Sequence, residues 1–226
     1  LSALADALPG TVIDGKYRLE GRIGAGGAGV VFRATHLDLN RPIAVKIFKP
    51  AQGNDSADAL ERFRLEGKSA SRLEHPHAVQ VYDSGISSEG LAYLVMQLLE
   101  GHPLSEELAG GRRVPAGRAS AVIAALADVL AHAHGLGIIH RDVKPENVFV
   151  QETPDGDVYK LLDFGIAKLT GESGLDSHIT MEGVMLGTPA YMAPERLDGS
   201  LVCGPESDVY SLGALAYRLL SGRLPF

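Results

Sequence analysis

Two polar motifs in the second half of the chain carry side chains suited to chemistry on a phosphate. They read His140-Arg141-Asp142-Val143-Lys144-Pro145-Glu146-Asn147 and Asp163-Phe164-Gly165. Asp142, Asn147 and Asp163 are short oxygen donors, and a Mg²⁺ ion on a nucleotide is held by a few such oxygens. Asp142 is also suited to accept a proton from an attacking hydroxyl, and Lys144 to neutralise transferred charge. A charged turn explains either motif alone, whereas the two together indicate phosphate chemistry.

A glycine-rich segment near the start of the chain suits phosphate binding by the backbone. Gly24-Ala25-Gly26-Gly27-Ala28-Gly29 fits the pattern G-x-G-x-x-G. A dinucleotide-binding fold requires a helix directly after this pattern, but Val30-Val31-Phe32-Arg33-Ala34 has the composition of a strand. The segment therefore links two strands, and its backbone is free to lie over phosphates. Taken alone, the pattern is explained better by a plain hairpin turn, because glycine-rich turns are common.

One lysine and one glutamate occupy apolar settings. Lys46 ends the apolar run Ile43-Ala44-Val45, although an exposed edge position is the ordinary explanation for a lysine. Glu66 lies on the apolar face of a predicted helix, three residues after Phe63. A buried carboxylate is costly unless a cation pairs with it. A pair between Glu66 and Lys46 would satisfy both charges and aim the ammonium group at a bound phosphate.

In this order, the motifs resemble those of the serine/threonine protein kinase family over residues 17–226. The matching residues are Gly24-x-Gly26-x-x-Gly29-x-Val31, Ala44-Val45-Lys46, Glu66, His140-Arg141-Asp142-x-Lys144-x-x-Asn147, Asp163-Phe164-Gly165 and Ala193-Pro194-Glu195. The glycine loop and the segment Gly187–Glu195 are similar to those of the bacterial eukaryotic-like members. Two alternatives stay open. A pseudokinase would keep the fold for binding only, but every catalytic residue type is present. A small-molecule phosphotransferase of related fold would lack the peptide-docking segment.

The resemblance implies ATP and Mg²⁺ as cofactors and assigns a role to each matching residue. Asp142, Lys144 and Asn147 are the expected catalytic residues: Asp142 orients the substrate hydroxyl and Lys144 contacts the γ-phosphate. Asn147 and Asp163 are the expected metal ligands. The expected nucleotide-binding residues are Ile23, Gly24, Ala25, Gly26, Gly27, Ala28, Gly29, Val30, Val31, Ala44, Lys46, Glu66, Met96, Gln97 and Leu99.

Regulation also follows from the resemblance. The polar segment Asp163–Glu195 is the expected activation loop, and we expect autophosphorylation at Thr180, with Arg141 engaging the phosphate. A homodimer would allow this reaction in trans. Asp208 is expected to be buried and to hydrogen-bond the backbone around His140 and Arg141.

Composition narrows the partners and the location. The chain has 226 residues, 21 Lys+Arg against 28 Asp+Glu, and a net charge of −7, which argues against nucleic acid or anionic lipid as a partner. The single cysteine, Cys203, excludes an intrachain disulfide and fits a reducing compartment. The most apolar stretch, Ala119–Ala133, is shorter than the roughly 20 residues of a membrane helix. We expect a cytoplasmic protein that acts on Ser and Thr hydroxyls of proteins.

The chain starts at Leu1 and stops in an apolar run at Phe226, so we expect it to be a fragment of a longer protein, and a membrane anchor elsewhere in that protein stays open as an alternative. Alone, without the arginine that pairs with Glu195 in relatives, it is expected to be poorly soluble and poorly active.

Hydrophobic periodicity places these motifs on secondary-structure elements. Predicted strands are Tyr17–Ile23, Gly29–His36, Pro42–Phe48, Val79–Ile86 and Leu91–Gln97, with two strand pairs formed by Ile138–Ile139 with Asn147–Val150 and by Val158–Leu162 after a turn. Predicted helices are 56–73, with Ser56 as the N-cap, Ala116–His134 and Glu206–Ser221.

The predicted fold class is α+β, with a two-lobed, protein-kinase-like architecture. The first lobe is a small antiparallel sheet with one helix, and the second, incomplete lobe is mainly helical. The predicted domain boundaries are an N-terminal extension at 1–16, an N-lobe at 17–98 and a C-lobe at 99–226.

Overall fold

The structure is a computed structural model that describes residues 9–26, 29–48, 63, 67, 71–88, 90–164, 189–197 and 204–226. The chain divides into two compact units. The first unit contains the described residues up to Arg72 together with Gln80–Leu99; the second contains Leu73–Val79 and the described residues from Glu100 onward.

The first unit contains a six-stranded antiparallel sheet with the strand order β1-β2-β3-β4-β6-β5. Its strands are β1 (Val12–Ile13), β2 (Tyr17–Gly26), β3 (Gly29–His36), β4 (Arg41–Phe48), β5 (Val81–Ile86) and β6 (Ala92–Met96). The β2–β3 turn approaches β4 closely, since a Cβ atom on Gly29 would lie 2.2 Å from the carbonyl oxygen of Ile47. This position therefore requires glycine.

One face of the first sheet carries an apolar core. The side chains of β4 alternate between the two faces, and Ile43, Val45 and Ile47 pack with Phe32 and Leu19 in one buried cluster. These five residues are at most 5% exposed. The side chains of Ala44, Lys46 and Phe48 therefore lie on the opposite face of this central strand. Ala44 and Lys46 are two of the predicted nucleotide-binding residues.

Part of the predicted N-terminal extension is folded. Within residues 9–16, β1 pairs with β2 and Ile13 is buried in the sheet core. Asp14 accepts a hydrogen bond of 2.6 Å from the hydroxyl of Tyr93, which fixes the turn after β1. The sequence missed this strand because it has only two residues.

The predicted helix 56–73 lies mostly outside the described residues, including its N-cap Ser56. Phe63 and Gly67 are helical, but Ser71 and Arg72 form a turn. The Ser71 amide donates to the Gly67 carbonyl at 3.0 Å. The helix therefore ends before Leu73, which instead belongs to the core of the second unit.

The second unit combines helices with a three-stranded antiparallel sheet. Its elements are β7 (Gly101–Pro103), α1 (Leu104–Glu107), α2 (Ala116–Gly135), β8 (Val148–Thr153), β9 (Gly156–Leu161), α3 (Pro194–Leu197) and α4 (Pro205–Ser221), with 3₁₀ turns at Ala109–Gly111, Pro145–Asn147 and Pro189–Tyr191. Strand β8 lies between β7 and β9. The predicted pairing of Ile138–Ile139 with Asn147–Val150 is wrong, because Ile138 and Ile139 are not in a strand and β8 pairs with Gly101–Pro103 instead.

The two long helices form much of the second core. Length and apolar composition alone would allow α2 to cross a membrane. Its buried side, which includes Val122, Leu126 and Val129, packs in the same cluster as Leu215 of α4. Helix α4 ends as predicted: Gly222 adopts a left-handed conformation with φ 77°, and its amide donates to the Arg218 carbonyl.

Candidate functional site

Strand register brings several predicted nucleotide residues of the first unit to one face of its sheet. Residues directly opposite each other in an antiparallel pair share a face. Gly24 lies opposite Val31, and Val31 lies opposite Lys46. On the next strand, Ala44 lies opposite Met96. These five residues therefore occupy the face opposite the apolar core.

Other predicted nucleotide residues of the first unit are placed differently. The side chain of Val30 packs against the apolar core, on the face away from Lys46, so its side chain does not join the group. Ile23 lies in a β-bulge between Arg22 and Gly24 and is 53% exposed. Gly27, Ala28 and Glu66 lie outside the described residues, as does the predicted pairing of Glu66 with Lys46.

Lys46 is buried, in contrast to the edge position that lysine usually takes. Its strand is paired on both sides, with Val31 and Leu94 as its register partners, and the residue is only 8% exposed. Its Nζ lies 5.3 Å from the centre of the Phe48 ring. A lysine is rarely buried to this extent without a functional or pairing reason.

The segment after β6 presents backbone groups. The amide of Gln97 donates to the carbonyl of Gln80 at 2.9 Å, which continues the pairing of β5 with β6. Within the described part of the chain, no backbone hydrogen bond occupies the Gln97 carbonyl or the Leu99 amide. Both residues are half-buried. This edge is suited to a planar ligand that hydrogen-bonds to backbone.

In the second unit, Asp142 is the centre of a compact polar group. Its Oδ2 accepts hydrogen bonds of 2.8 Å from Asn147 Nδ2 and from Lys144 Nζ. Asn147 Nδ2 also donates to the Asp142 carbonyl at 2.8 Å. A 3₁₀ turn at Pro145–Asn147 brings the asparagine back toward Asp142. The three predicted catalytic residues are therefore in direct contact.

Asp142 is held in its ionised form. Burial alone would raise the pKa of this carboxyl, but the charge and hydrogen bond of Lys144 outweigh it, with help from the hydrogen bond of Asn147. The net result is a pKa below the ordinary value of 3.8. Asp142 therefore carries a negative charge at neutral pH and is available as a hydrogen-bond acceptor.

Asp208, fully buried in the first turn of α4, orders the backbone before Asp142. Its two carboxylate oxygens accept from the amides of His140 and Arg141, at 2.8 and 2.7 Å. His134 Nε2 lies 2.8 Å from the same carboxylate. Arg141 has a positive φ of 70°, which is uncommon for a residue other than glycine. The predicted role of Asp208 is confirmed.

His140 connects this backbone to the segment that contains Asp163. Its Nδ1 accepts from the Asp142 amide at 3.1 Å, so its Nε2 carries the proton that is donated to the Leu162 carbonyl at 2.7 Å. The Leu162 amide in turn donates to the Asn147 carbonyl at 2.8 Å. Asp163 follows directly, with φ 58°. The two predicted metal ligands thus sit on hydrogen-bonded backbone segments.

The donor chemistry of Asn147 and Asp163 fits Mg²⁺. Because Nδ2 of Asn147 is committed to Asp142, its amide oxygen is the atom left for a ligand. Asp163 adds a carboxylate, and Mg²⁺ is commonly bound by one or two such protein groups together with substrate phosphates and water.

Two residues with structural roles in the second unit were not predicted from the sequence. His134 contacts Asp208 from the last turn of α2, and Lys160 contacts backbone carbonyls of residues 76 and 78. Lys160 is only 8% exposed. A lysine inside the apolar strand Val158–Leu162 was the available signal, although its partners are about 80 residues away.

The amino-acid sequence is similar to those of known protein kinases. The protein kinase domain family matches residues 17–226. The chain is 43% identical over 215 residues to the serine/threonine-protein kinase pkn2 of Myxococcus xanthus, covering 95% of this chain and 25% of that protein. It is 40% identical over 222 residues to PknL of Mycobacterium tuberculosis, covering 98% of this chain and 53% of that protein.

A solved structure agrees with this family. The crystal structure of the PknI kinase domain of Mycobacterium tuberculosis superposes with a TM-score of 0.76 at 27% identity, covering 97% of this chain and 79% of that one. The chain spans only a quarter to about half of the length of the two curated relatives. The chain therefore belongs to the protein kinase domain family, is similar to bacterial serine/threonine-protein kinases, and has the predicted protein-kinase-like α+β fold.

Proposed function

We propose that the protein transfers the γ-phosphate of ATP to Ser and Thr hydroxyls of other proteins, with Mg²⁺ as the metal. The observation that carries this proposal is the direct contact of Asp142 with Lys144 and Asn147, at 2.8 Å each. An ionised carboxylate beside an ammonium group and an amide oxygen supplies the parts that phosphoryl transfer needs.

Asp142 orients the acceptor hydroxyl. Both side-chain contacts engage its Oδ2, so Oδ1 is the atom that accepts a hydrogen bond from the substrate. With its lowered pKa, this carboxylate is a weak base. A weak base suffices because the transition state is loose and leaves the protein little covalent chemistry to do. The main contribution of Asp142 is therefore position.

Lys144 and the metal ligands manage charge. The Lys144 ammonium group, held by Asp142, neutralises charge on the transferred phosphoryl group. Asn147 and Asp163 are the residues that would hold Mg²⁺. When bound, this ion neutralises charge on the phosphates of ATP.

The first unit supplies the proposed contacts to the nucleotide. Buried Lys46 binds the α- and β-phosphates, and Glu66 positions it. Ala44 and Met96 share its face of the sheet and contact the adenine ring. The backbone of Gln97 and Leu99 hydrogen-bonds to the edge of the base, and the glycine-rich turn 24–29 covers the phosphates.

Replacement of Asp142 tests the assignment. In Asp142→Asn, transfer of labelled phosphate to a protein acceptor is expected to fall by roughly 10²- to 10⁴-fold, because the acceptor hydroxyl loses its partner. Asp155→Asn, in the exposed turn between β8 and β9, serves as the control and should keep full activity. Equal activity of Asp142→Asn and Asp155→Asn would remove Asp142 from the mechanism.

We also propose that autophosphorylation at Thr180 activates the enzyme. Thr180 lies outside the described residues, and the support comes from Arg141. Its Nε is buried and has no hydrogen-bond partner among the residues that the structure describes. A phosphate is a suitable partner for such a group, and the new ion pair would order the loop. A homodimer would allow one copy to phosphorylate the other.

Mass spectrometry of the phosphorylated protein tests this second proposal. Thr180→Ala should lose one phosphopeptide and most of the activity, while Ser177→Ala in the same loop should keep both. If the reaction occurs in trans, its rate per molecule rises with protein concentration. An unchanged phosphopeptide map in Thr180→Ala would exclude the site.

The need for ATP also leads us to propose a cytoplasmic location for the domain.

A further inference from the structure

Residues 73–79 belong to the second unit, although the chain before and after them belongs to the first. The first unit ends one passage at Arg72 and resumes at Gln80. Within the short segment, Leu73 and Ala78 are at most 2% exposed and lie in the core of the second unit. Specific contacts with the rest of the second unit therefore fix the position of residues 73–79.

Strand β9 supplies one set of contacts. Ala78 forms a parallel bridge with Leu161, the last residue of β9. The Leu161 amide donates to the His77 carbonyl at 2.8 Å, and the Val79 amide donates to the Leu161 carbonyl at 3.1 Å. His77 Nδ1 lies 2.9 Å from the Tyr159 carbonyl. The segment thus extends the sheet at the end of β9.

The hydrogen bonds of this bridge are made by the His77 carbonyl and the Val79 amide, not by the backbone of Ala78. The Ala78 carbonyl is therefore available for another donor. Lys160 provides it. The Lys160 Nζ donates to the Ala78 carbonyl at 3.3 Å and to the Pro76 carbonyl at 2.8 Å. One ammonium group therefore satisfies two carbonyls of the same segment, and buried backbone carbonyls are rarely left without a donor.

Burial of the Lys160 ammonium group is energetically unfavourable. Lys160 is 8% exposed, and burial lowers the pKa of its ammonium group. Among the described residues, no carboxylate forms an ion pair with it. A buried lysine whose partners are neutral carbonyls adds little net stability, and its two hydrogen bonds to one segment favour a positional role.

The position it controls is that of Asp163. Lys160 stands three residues before Asp163. Between them, the backbone of Leu161 bonds to residues 77 and 79, and the Leu162 amide bonds to the Asn147 carbonyl. Movement of β9 relative to residues 76–78 would therefore also displace the backbone of the two proposed metal ligands.

We propose that Lys160 is a positioning residue, whose ammonium group ties the segment 76–78 to the end of β9 and thereby fixes the backbone that carries Asp163. This inference rests on the proposed function, because Asp163 matters as the metal ligand of a nucleotide site. Lys160 itself does not touch the substrate. Its effect reaches the site through Leu161 and Leu162.

Three variants of the full-length protein test the inference. Lys160→Met keeps the length of the side chain but removes the charge and all donors, whereas Lys160→Arg keeps a cationic donor. Lys16→Met replaces an exposed lysine of the first unit and is the matched control. Should Lys160→Met fail to fold, Lys160→Gln, which retains a neutral N–H donor, takes its place.

Two measurements separate positioning from stability. Hydrogen exchange at the amides of Val79, Leu161 and Leu162 should accelerate roughly five- to tenfold in Lys160→Met, as expected for the loss of about one hydrogen bond. The affinity for Mn²⁺ together with a non-hydrolysable ATP analogue, measured by calorimetry, should weaken by a similar factor. Affinity for the same analogue in EDTA should be unchanged. Lys160→Arg should restore both values, and Lys16→Met should match the wild type.

The outcomes distinguish this inference from the proposed function. If Lys160→Met exchanges at the wild-type rate, or loses affinity equally with and without metal, Lys160 is not a positioning residue. If the wild type binds the analogue and transfers phosphate normally, the proposed function stands in either case. If the wild type neither binds the analogue nor transfers phosphate, the proposed function fails, independently of the exchange result.

Discussion

At the scale of single residues, the charge on Asp142 depends on Lys144. Burial works to raise the pKa of Asp142, and Lys144 is the first of the groups that lower it. In Lys144→Met, the pKa of Asp142 should therefore rise, because burial then acts with less opposition. Since the ionised carboxylate is the active form, the acidic limb of the rate–pH profile should move to higher pH, whatever the fall in the rate itself.

The pH dependence of kcat/KM checks this expectation. Glu146→Gln, at an exposed neighbouring position, is the control and should leave the acidic limb in place. An acidic limb at the same pH in Lys144→Met and in the wild type would show that Lys144 does not set the ionisation of Asp142.

Asp208 gives a second prediction at this scale. Asp208→Ala leaves the amides of His140 and Arg141 without their acceptor in a fully buried place. The free energy of unfolding should fall by about 3–5 kcal/mol, as for a broken buried charge network. Glu206→Ala, exposed in the same helical turn, should change it by less than about 0.5 kcal/mol. Urea denaturation measures both, and equal small losses would contradict the assigned role of Asp208.

The contact between the three predicted catalytic residues follows from their spacing in the sequence. Asp142, Lys144 and Asn147 are close in sequence, so a single turn suffices to bring them together. Asp208 lies 68 residues after His140, and its burial was expected only from a family resemblance. His134 and Lys160 were missed because their partners are 74 and more residues away, although a lysine inside an apolar strand was a signal for Lys160.

At the scale of elements, two histidines of the second unit should affect stability with opposite pH dependence. His102 joins β7 to α1 through Glu107, at 3.0 Å, and this hydrogen bond raises the pKa of His102 above 6.5. A raised pKa gives stability that is fully present below pH 6.5 and lost as the pH rises through the folded-state value. His75 packs on α2, and burial lowers its pKa below 6.5, despite the nearby carboxylate of Asp128. Its protonation in the unfolded state therefore costs stability as the pH falls below about 6.5.

The variants His102→Gln and His75→Gln, unfolded by urea between pH 5.5 and 8, check this pair of expectations. The stability gap between the wild type and His102→Gln should be largest at pH 5.5 and shrink toward pH 8. The gap for His75→Gln should be largest at pH 8 and shrink toward pH 5.5. Gaps that change in the same direction would show that one of the two contacts is absent in solution.

The elements themselves were predicted well where periodicity was strong. The strand β3 and the helices α2 and α4 have the predicted bounds within one residue. The failures were short pieces. Ile138–Ile139 has strand composition, but the neighbouring strand β8 finds its partner in Gly101–Pro103, far away in sequence. Composition cannot reveal which of two short apolar segments forms such a pairing.

At the scale of the whole molecule, the sequence did not predict which unit residues 73–79 belong to. Residues 73–79 lie within the range 17–98 that was predicted as the N-lobe, whereas they belong to the second compact unit. The deciding contacts are long-range ones: His75 with Asp128 at 3.3 Å, and Lys160 with the Pro76 carbonyl at 2.8 Å. Neither contact has a local signal in the sequence.

The identity of the acceptor group tests the central claim most directly. The full-length protein would be incubated with γ-labelled ATP, Mg²⁺ and myelin basic protein, and the labelled amino acids would then be separated after acid hydrolysis. The expected result is label on phosphoserine and phosphothreonine of the wild-type reaction, lost in Asp142→Asn. Label confined to small molecules, or protein label of equal strength in both reactions, would contradict a serine/threonine kinase that acts through Asp142.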